Sequence, residues 1–271
     1  PKGAPFSTKG CYMKMNIDGS VNVNMGGAEV GQGLRTVIRQ VAAEALKIDP
    51  ERVRVYTEID TQYSPYEWQT IGSMFTTQGG RAIIRAADKM IAQLKKTAAQ
   101  VLKTDEDYLV YDGDTIYLEN DPAIKVAVKD LARGYITSDG ITIGELAQSV
   151  SDARLPRYSN PDQNGQGSIG VSYTMGSQAV DLKIEKKTGK IFINHYYSVF
   201  DVGQVINPLQ IRGSVLGGVL MSIGAALYEE VVFDKDGHIT NPHFFKYHLP
   251  TFKEAPQQTI EFVETPDPVG P

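Results

Sequence analysis

Apolar and polar residues alternate over residues 11–25. Met13, Met15 and Ile17 interleave with Lys14 and Asn16, and Val21, Val23 and Met25 alternate again after Asp18-Gly19. Alternation on both sides of an Asp-Gly pair predicts a β-hairpin. From Leu34 the period lengthens. Leu34, Val37, Ile38, Val41, Ala42, Ala45 and Leu46 share one helical face. This helix is predicted to end before Asp49-Pro50, because a residue preceding proline avoids helical geometry. Val53, Val55 and Thr57 then alternate as a third strand. Residues 59–80 form a long polar and aromatic connection holding Trp68, the only tryptophan. A connection of that length inside a compact domain points to a task. A second helix follows, with Ile83, Ala86, Ala87, Met90, Ile91 and Leu94 on one face.

The middle of the chain carries less pattern. Tyr108 to Leu118 reads as a hairpin around Asp112-Gly113. Lys129 to Ala132 and Gly144 to Val150 read as short helices, and Pro156 to Gly167 as a polar loop. The first plan then returns. Val180, Leu182 and Ile184 alternate, Thr188-Gly189 turns, and Ile191 and Ile193 come back. A helix rich in small residues is predicted over Gly213 to Tyr228, then a hairpin at Asp236-Gly237 and a last strand from Thr259 to Val263. Hairpin, Val-Gly-Gln turn and helix thus occur twice, at Val30-Gly31-Gln32 and at Val202-Gly203-Gln204. The repetition predicts an internal duplication with a ligand held between similar lobes. The expected fold is α+β, in two lobes of mixed sheets covered by helices. The lobes are expected at residues 1–165, with a connecting insertion, and 166–271.

Composition narrows this little. Of 271 residues, 41% are hydrophobic and 22% charged, the balance of a globular chain able to bury a core. A net charge of −5 gives no sign of a nucleic-acid face. One cysteine, Cys11, excludes an internal disulfide framework and any cysteine-only metal site. It lies in a strand pattern, as a buried inert thiol would. No apolar run approaches a membrane span, and no signal-peptide pattern is present, so the expected compartment is the cytoplasm. Both ends read as cut rather than natural.

The candidate chemistry lies in the turns. In Met25-Gly26-Gly27-Ala28-Glu29-Val30-Gly31-Gln32-Gly33, glycines admit close backbone approach, and the following helix begins with unpartnered N–H groups. Gln32 adds an amide. The turn is either an anion site or plain strand-to-helix geometry. Ser73, Thr76 and Thr77 either cap the second helix or bind phosphate oxygens. Gly217, Gly218 and Gly224 either serve tight helix packing or let a cofactor press against the helix. Tyr63, Tyr66, Trp68 and Phe75 either line a pocket for a flat ring or pack the connection on the core. His195, His238, His243 and His248 lack metal-site spacing.

Five phrases, in order, carry a resemblance. They are Gly27-Ala28-Glu29-Val30-Gly31-Gln32-Gly33-Leu34 with Val41 to Leu46; Tyr66 to Ser73 leading to Gly80-Arg81-Ala82; Gln178-Ala179-Val180; Asp201-Val202-Gly203 with Ile206-Asn207-Pro208; and Asn241-Pro242 with Tyr247 and Pro250. Together they resemble the molybdopterin-binding large subunit of the molybdenum hydroxylases, the xanthine dehydrogenase and aldehyde oxidase family. The resemblance implies molybdenum held by the dithiolene of a pyranopterin, usually a cytosine dinucleotide in bacterial members. The protein then supplies hydrogen bonds rather than metal bonds. It implies cofactor contacts from Gly31, Gln32 and Gly33, and from Gly72, Ser73, Met74 and Thr76. Ser214 stands where the family normally has a glutamine touching the cofactor, and Met221 likewise replaces a common glutamine.

The chemistry implied is hydroxylation of an aromatic heterocycle or aldehyde with water as oxygen source. Electrons would leave through iron–sulfur clusters to FAD on partner chains or domains. The family's glutamate base is expected beyond Pro271, so no catalytic residue is assigned within the chain. The expectation is a piece of the molybdopterin subunit, inactive and cofactor-free alone. The rivals are a natural subunit of a split enzyme, a reductive member like 4-hydroxybenzoyl-CoA reductase, and a non-catalytic module keeping the fold. No nucleic-acid or membrane partner is expected.

Overall fold

In a computed structural model, the structure describes residues 8–154, 159–168, 170 and 172–268. The chain divides into two compact units, the first closing at Ser172 and the second opening at Tyr173. The first unit begins with the predicted hairpin, β1 (Thr8–Met15) and β2 (Val21–Asn24). Asp18 Oδ1 accepts from the Ser20 amide at 2.9 Å, and Gly19 takes φ 79°, the left-handed value this turn demands. Helix α1 (Leu34–Ala45) follows, then β3 (Val53–Tyr56), parallel to β2.

A single π-helical turn, Phe75–Gly79, leads without a break into α2 (Gly80–Leu102). Both helices pack on the sheet, whose core is Cys11, Met13, Met15, Val21 and Val23. The stripes read from the sequence, Leu34, Ile38 and Ala42 on α1 and Ile83, Ala86, Met90 and Leu94 on α2, are buried there. Cys11 is buried as expected, and loss of solvent pushes its thiol up to about 12.

A three-stranded meander comes next: β4 (Leu109–Tyr111), β5 (Thr115–Leu118) and β6 (Asp121–Ala127). The sequence reading gave its first two strands and missed the third. A 3-10 turn at Val128–Leu131 matches the short helix read there. A small hairpin, β7 (Tyr135–Ile136) and β8 (Thr142–Ile143), precedes β9 (Gln148–Arg154).

The helix expected at Gly144 to Val150 is a misreading, since the chain there enters a strand. β9 pairs antiparallel with β1 and completes a sheet ordered β3-β2-β1-β9. Its inward residues are Ser149, Ser151 and Ala153, so the alternation is small against polar and carries no hydrophobic signal. The buried hydroxyls are satisfied by α2 carbonyls: Ser149 Oγ donates to Ala86 O at 2.7 Å and Ser151 Oγ to Ala82 O at 2.5 Å. The loop read over Pro156 to Gly167 lies partly outside the described residues, and from Ser159 to Ser168 it has no helix or strand.

The second unit repeats the plan. β10 (Met175–Ile184) and β11 (Ile191–Asp201) form the hairpin, α3 (Pro208–Leu227) follows, and β12 (Gln257–Val263) runs parallel to β11. Each unit is therefore hairpin, turn, helix, then a strand parallel to the hairpin's second strand. α3 begins five residues before the predicted Gly213. Asn207 Oδ1 accepts from the Gln210 amide at 3.1 Å, and Pro208 occupies the first helical position. This longer helix corrects a second expectation. Pro208–Leu227 is long and apolar enough to span a membrane by length and composition, with a mean hydropathy of 1.3. Within its unit it lies against β12, where Arg212 Nη2 donates to Ile260 O at 3.0 Å.

Candidate functional site

The turn between β2 and α1 is shaped by what packs under it. A Cβ on Gly26 would stand 2.7 Å from Glu67 Cβ, and one on Gly27 would stand 2.7 Å from the Phe75 ring. Glycine at these positions lets segment 65–75 lie directly against the turn. Gly31 and Gly33 take φ 102° and 81°, and the space a Gly31 side chain would fill is open.

The turn folds its polar groups onto itself. Glu29 Oε1 accepts from the Gly31 and Gly33 amides at 3.1 and 2.9 Å, and Oε2 accepts from the Arg35 amide at 3.1 Å. Desolvation acts to raise the Glu29 carboxyl, but these amides outweigh it and hold it below the usual carboxylate range. The start of α1, offered by the sequence to an external anion, is thus closed by the chain's own acid. Gln32 Nε2 donates to Ala28 O at 2.8 Å, and its Oε1 accepts from the Val30 amide at 2.7 Å. Both sides of the Gln32 amide plane are fixed while the residue stays exposed.

Segment 65–75 is anchored on the opposite side. Gly10 N donates to Tyr66 O at 2.8 Å and Trp68 N to Thr8 O at 3.2 Å, a short antiparallel ladder on the start of β1. Lys9, fully buried, sends Nζ to Glu67 Oε1 and to Gln69 O. Burial pushes the Lys9 ammonium below the ordinary lysine range and the Glu67 carboxyl above the ordinary carboxylate range, and their mutual attraction opposes both. Thr70 Oγ1 donates to Glu67 Oε1 at 3.4 Å and accepts from the Ala28 amide at 3.0 Å. That last bond joins the two loops.

Beyond Thr70, Gly72 and Ser73 take φ 61° and 55°. A serine held left-handed is strained by about 1–3 kcal/mol and persists only where its surroundings impose it. Met74 returns to helical angles, and the π turn begins with no side-chain cap. π turns inside helices collect at functional sites.

The structure therefore brings Gly31, Gln32 and Gly33 into one neighbourhood with the segment bearing Gly72, Ser73, Met74 and Thr76. Ser214 lies exposed on α3 in the second unit. Of the aromatics, Phe75 packs into the core while Tyr63 and Tyr66 are exposed. Sequence reasoning missed Lys9, Glu29, Glu67 and Thr70. Glu29 had a usable signal, an acid just ahead of a helix start. The Lys9–Glu67 pair, 58 residues apart, had none. Among the described residues no group of histidine, cysteine, aspartate and glutamate side chains could hold a metal. The site offers amides, hydroxyls and backbone N–H groups.

A family model for the molybdopterin cofactor-binding domain matches residues 2–256. The chain belongs to this family. Similar proteins include a putative xanthine dehydrogenase molybdenum-binding subunit of Escherichia coli (strain K12). It is 30% identical, over 96% of this chain and 33% of that protein. The carbon monoxide dehydrogenase large chain of Hydrogenophaga pseudoflava is 28% identical, over 96% of this chain and 31% of that one. The structure of reconstituted CO dehydrogenase from Oligotropha carboxidovorans superposes with a TM-score of 0.80 at 26% identity, over 97% of this chain and 31% of that chain. This molybdopterin-binding domain thus spans about a third of the curated relatives it matches. It is related to molybdenum-containing oxidoreductases and shares their α+β architecture.

Proposed function

We propose that the two joined loops hold a molybdenum-bearing pyranopterin, in its cytosine dinucleotide form, within a larger oxidoreductase. The observation that carries this is the Ala28–Thr70 bond, because it brings both loops implicated by the family resemblance to one place. The donor set fits a group that brings its own metal ligand. It has open backbone at Gly31, an oriented amide at Gln32, hydroxyls at Ser73 and Thr76, and an uncapped helix start at Phe75. Gln32 and the Gly31–Gly33 backbone would meet the pterin or the metal face. Ser73, Met74 and Thr76 would lie by the metal and phosphates, with Gly72 supplying the turn. Ser214, in the second unit, stands where the family usually has a glutamine that touches the cofactor, and offers a shorter hydroxyl there.

When bound, the group supplies two-electron oxidation of an electron-poor carbon with water as oxygen source. The residues of this chain bind and orient it. The base that activates water, the iron–sulfur clusters and FAD come from chain or partners beyond these residues. The substrate is an aromatic heterocycle or an aldehyde, and the assembly works in the cytoplasm.

The test is to express the whole gene with its neighbours and analyse what denaturation releases. The expected result is molybdenum and a cytidine nucleotide in equal amounts. Absence of molybdenum from the intact assembly overturns the reading.

A further inference from the structure

Lys9 is an unusual core residue. Its ammonium is out of water, and burying an ion pair seldom adds stability over an apolar replacement. Its contacts instead share one destination. Nζ bonds Glu67 Oε1 and Gln69 O, and it stands 5.6 Å from the Phe75 ring centroid. All three partners lie on segment 67–75.

From there a hydrogen-bonded chain continues outward. Glu67 Oε1 also takes the Thr70 hydroxyl proton at 3.4 Å, while Glu67 Oε2 is buried without a partner. Because that hydroxyl donates to a carboxylate, its lone pairs are free to accept, and they take the Ala28 amide at 3.0 Å. A donor engaged with a charge is also a better acceptor, since linked bonds polarise one another. Ala28 O then accepts from Gln32 Nε2 at 2.8 Å, and Gln32 Oε1 accepts from Val30 N at 2.7 Å. Along Lys9–Glu67–Thr70–Ala28–Gln32 only the Thr70 hydroxyl can turn, and because the Ala28 N–H can only donate to it, its proton goes to Glu67, so the buried pair anchors the backbone at Ala28. Ala28 O, which only accepts, and Val30 N–H, which only donates, then decide which edge of the Gln32 amide faces outward, so Gln32 is placed where Ala28 is held.

We propose that Lys9 is a positioning residue that fixes Gln32 through Glu67, Thr70 and Ala28. Its bearing on cofactor binding rests on the reading that Gln32 meets the pterin. The relay itself does not.

Hydrogen exchange read by mass spectrometry on the full-length protein tests it, beside molybdenum content and melting temperature. Thr70→Val removes both bonds of the hydroxyl and leaves the ion pair intact. It should raise exchange in residues 26–33 about tenfold, with α2 unchanged. Thr70→Ser keeps donor and acceptor and should restore protection to within about twofold. The paired replacement Lys9→Met with Glu67→Leu avoids a lone buried charge. It should loosen residues 26–33 equally without lowering the melting temperature, which a purely structural role would not do. Unchanged exchange in residues 26–33 for either Thr70→Val or the paired variant overturns the proposal. Should the paired variant fail to fold, Lys9→Met alone, beside a Glu67 carboxyl that can take up a proton, takes its place, and unchanged exchange in residues 26–33 overturns the role of Lys9. Raised exchange with undiminished molybdenum upholds the relay and removes Gln32 from the cofactor site.

Discussion

The two units close the same turn in different ways. In the first, the residues between β2 and α1 are held from within. Glu29 takes three amides spaced two to six residues away, and Gln32 takes Val30 N and Ala28 O, while the Ala28 amide alone reaches out to Thr70. In the second, the equivalent turn is held across the sheet. Asp201 Oδ1 accepts from Gly203 N at 3.2 Å and from Thr265 N at 3.1 Å, and Glu264 Oε2 accepts from Val205 N at 2.9 Å. A local clasp is written into one short phrase. A clasp reaching about 60 residues forms only once β12 has docked beside β11. Repetition of the plan therefore extends to the backbone path but not to the groups that lock it.

The helices differ in parallel. α1 is amphipathic, with Leu34, Ile38 and Ala42 under the sheet and arginines outside. α3 is apolar nearly all round, and added Cβ atoms on Gly213, Gly217 and Gly218 would meet nothing within 4 Å. The sharpest way to test this contrast is truncation. Ile38→Ala empties a fully buried site and should cost about 2–5 kcal/mol in denaturant unfolding. Leu216→Ala, 40% exposed on α3, should cost less than about 1 kcal/mol. Equal costs would mean the two helices are packed alike, and the contrast would fail.

This contrast also explains what could be read from the sequence. Where burial follows period, the elements were legible. Both hairpins, with Asp18-Gly19 and Thr188-Gly189 at their tips, sit where alternation puts them, and the α1 and α2 stripes are the buried ones. Where one face is small and polar, the period vanishes, and β9 was mistaken for a helix because Ser149 and Ser151 face inward. The opening of α3 was misplaced although Asn207-Pro208 is a strong helix start, because those residues read equally well as the end of the turn. In the candidate site, the glycines and Gln32 were visible as a motif. The groups that orient them were not, since Lys9 meets Glu67 only through the ladder between β1 and segment 66–68.

The clasps themselves come next in size. Glu29→Gln keeps one acceptor oxygen and loses the charge at the start of α1, and should cost about 1 kcal/mol, as loss of a helix cap does. Asp201→Asn should lower the melting temperature by less, because Asp201 holds two amides rather than three and does not stand at a helix start. The same pair predicts an acid response. Desolvation opposes the shift at Glu29 and its amide bonds overcome it. At Asp201 the Thr265 hydroxyl and then the amides of Gly203 and Thr265 lower the carboxyl. Both folded values therefore lie below the unfolded ones. The stability they add is complete above the ordinary carboxylate pKa, about 4, and is lost as pH falls through the depressed values. Melting temperature followed from pH 7 down to pH ~2 should fall less steeply in either variant than in the parent. Parallel curves for all three would show that neither carboxyl titrates differently in the folded and unfolded chain.

The smallest effect on folding is expected where the proposed effect on binding is large. Gln32→Ala removes bonds to Ala28 O and Val30 N, both on exposed residues where water can replace the lost amide. Its unfolding free energy should change by no more than about 0.5 kcal/mol. Molybdenum retained by the full assembly should nevertheless fall, because the Gln32 amide is oriented by the turn and exposed to a ligand. Glu29→Gln should do the reverse, weakening the fold more than it weakens retention. Measuring both quantities in both variants separates residues that hold the turn from residues that the turn presents. If Gln32→Ala instead destabilises the fold as much as Glu29→Gln, Gln32 is a second clasp, and the first turn is built for rigidity alone.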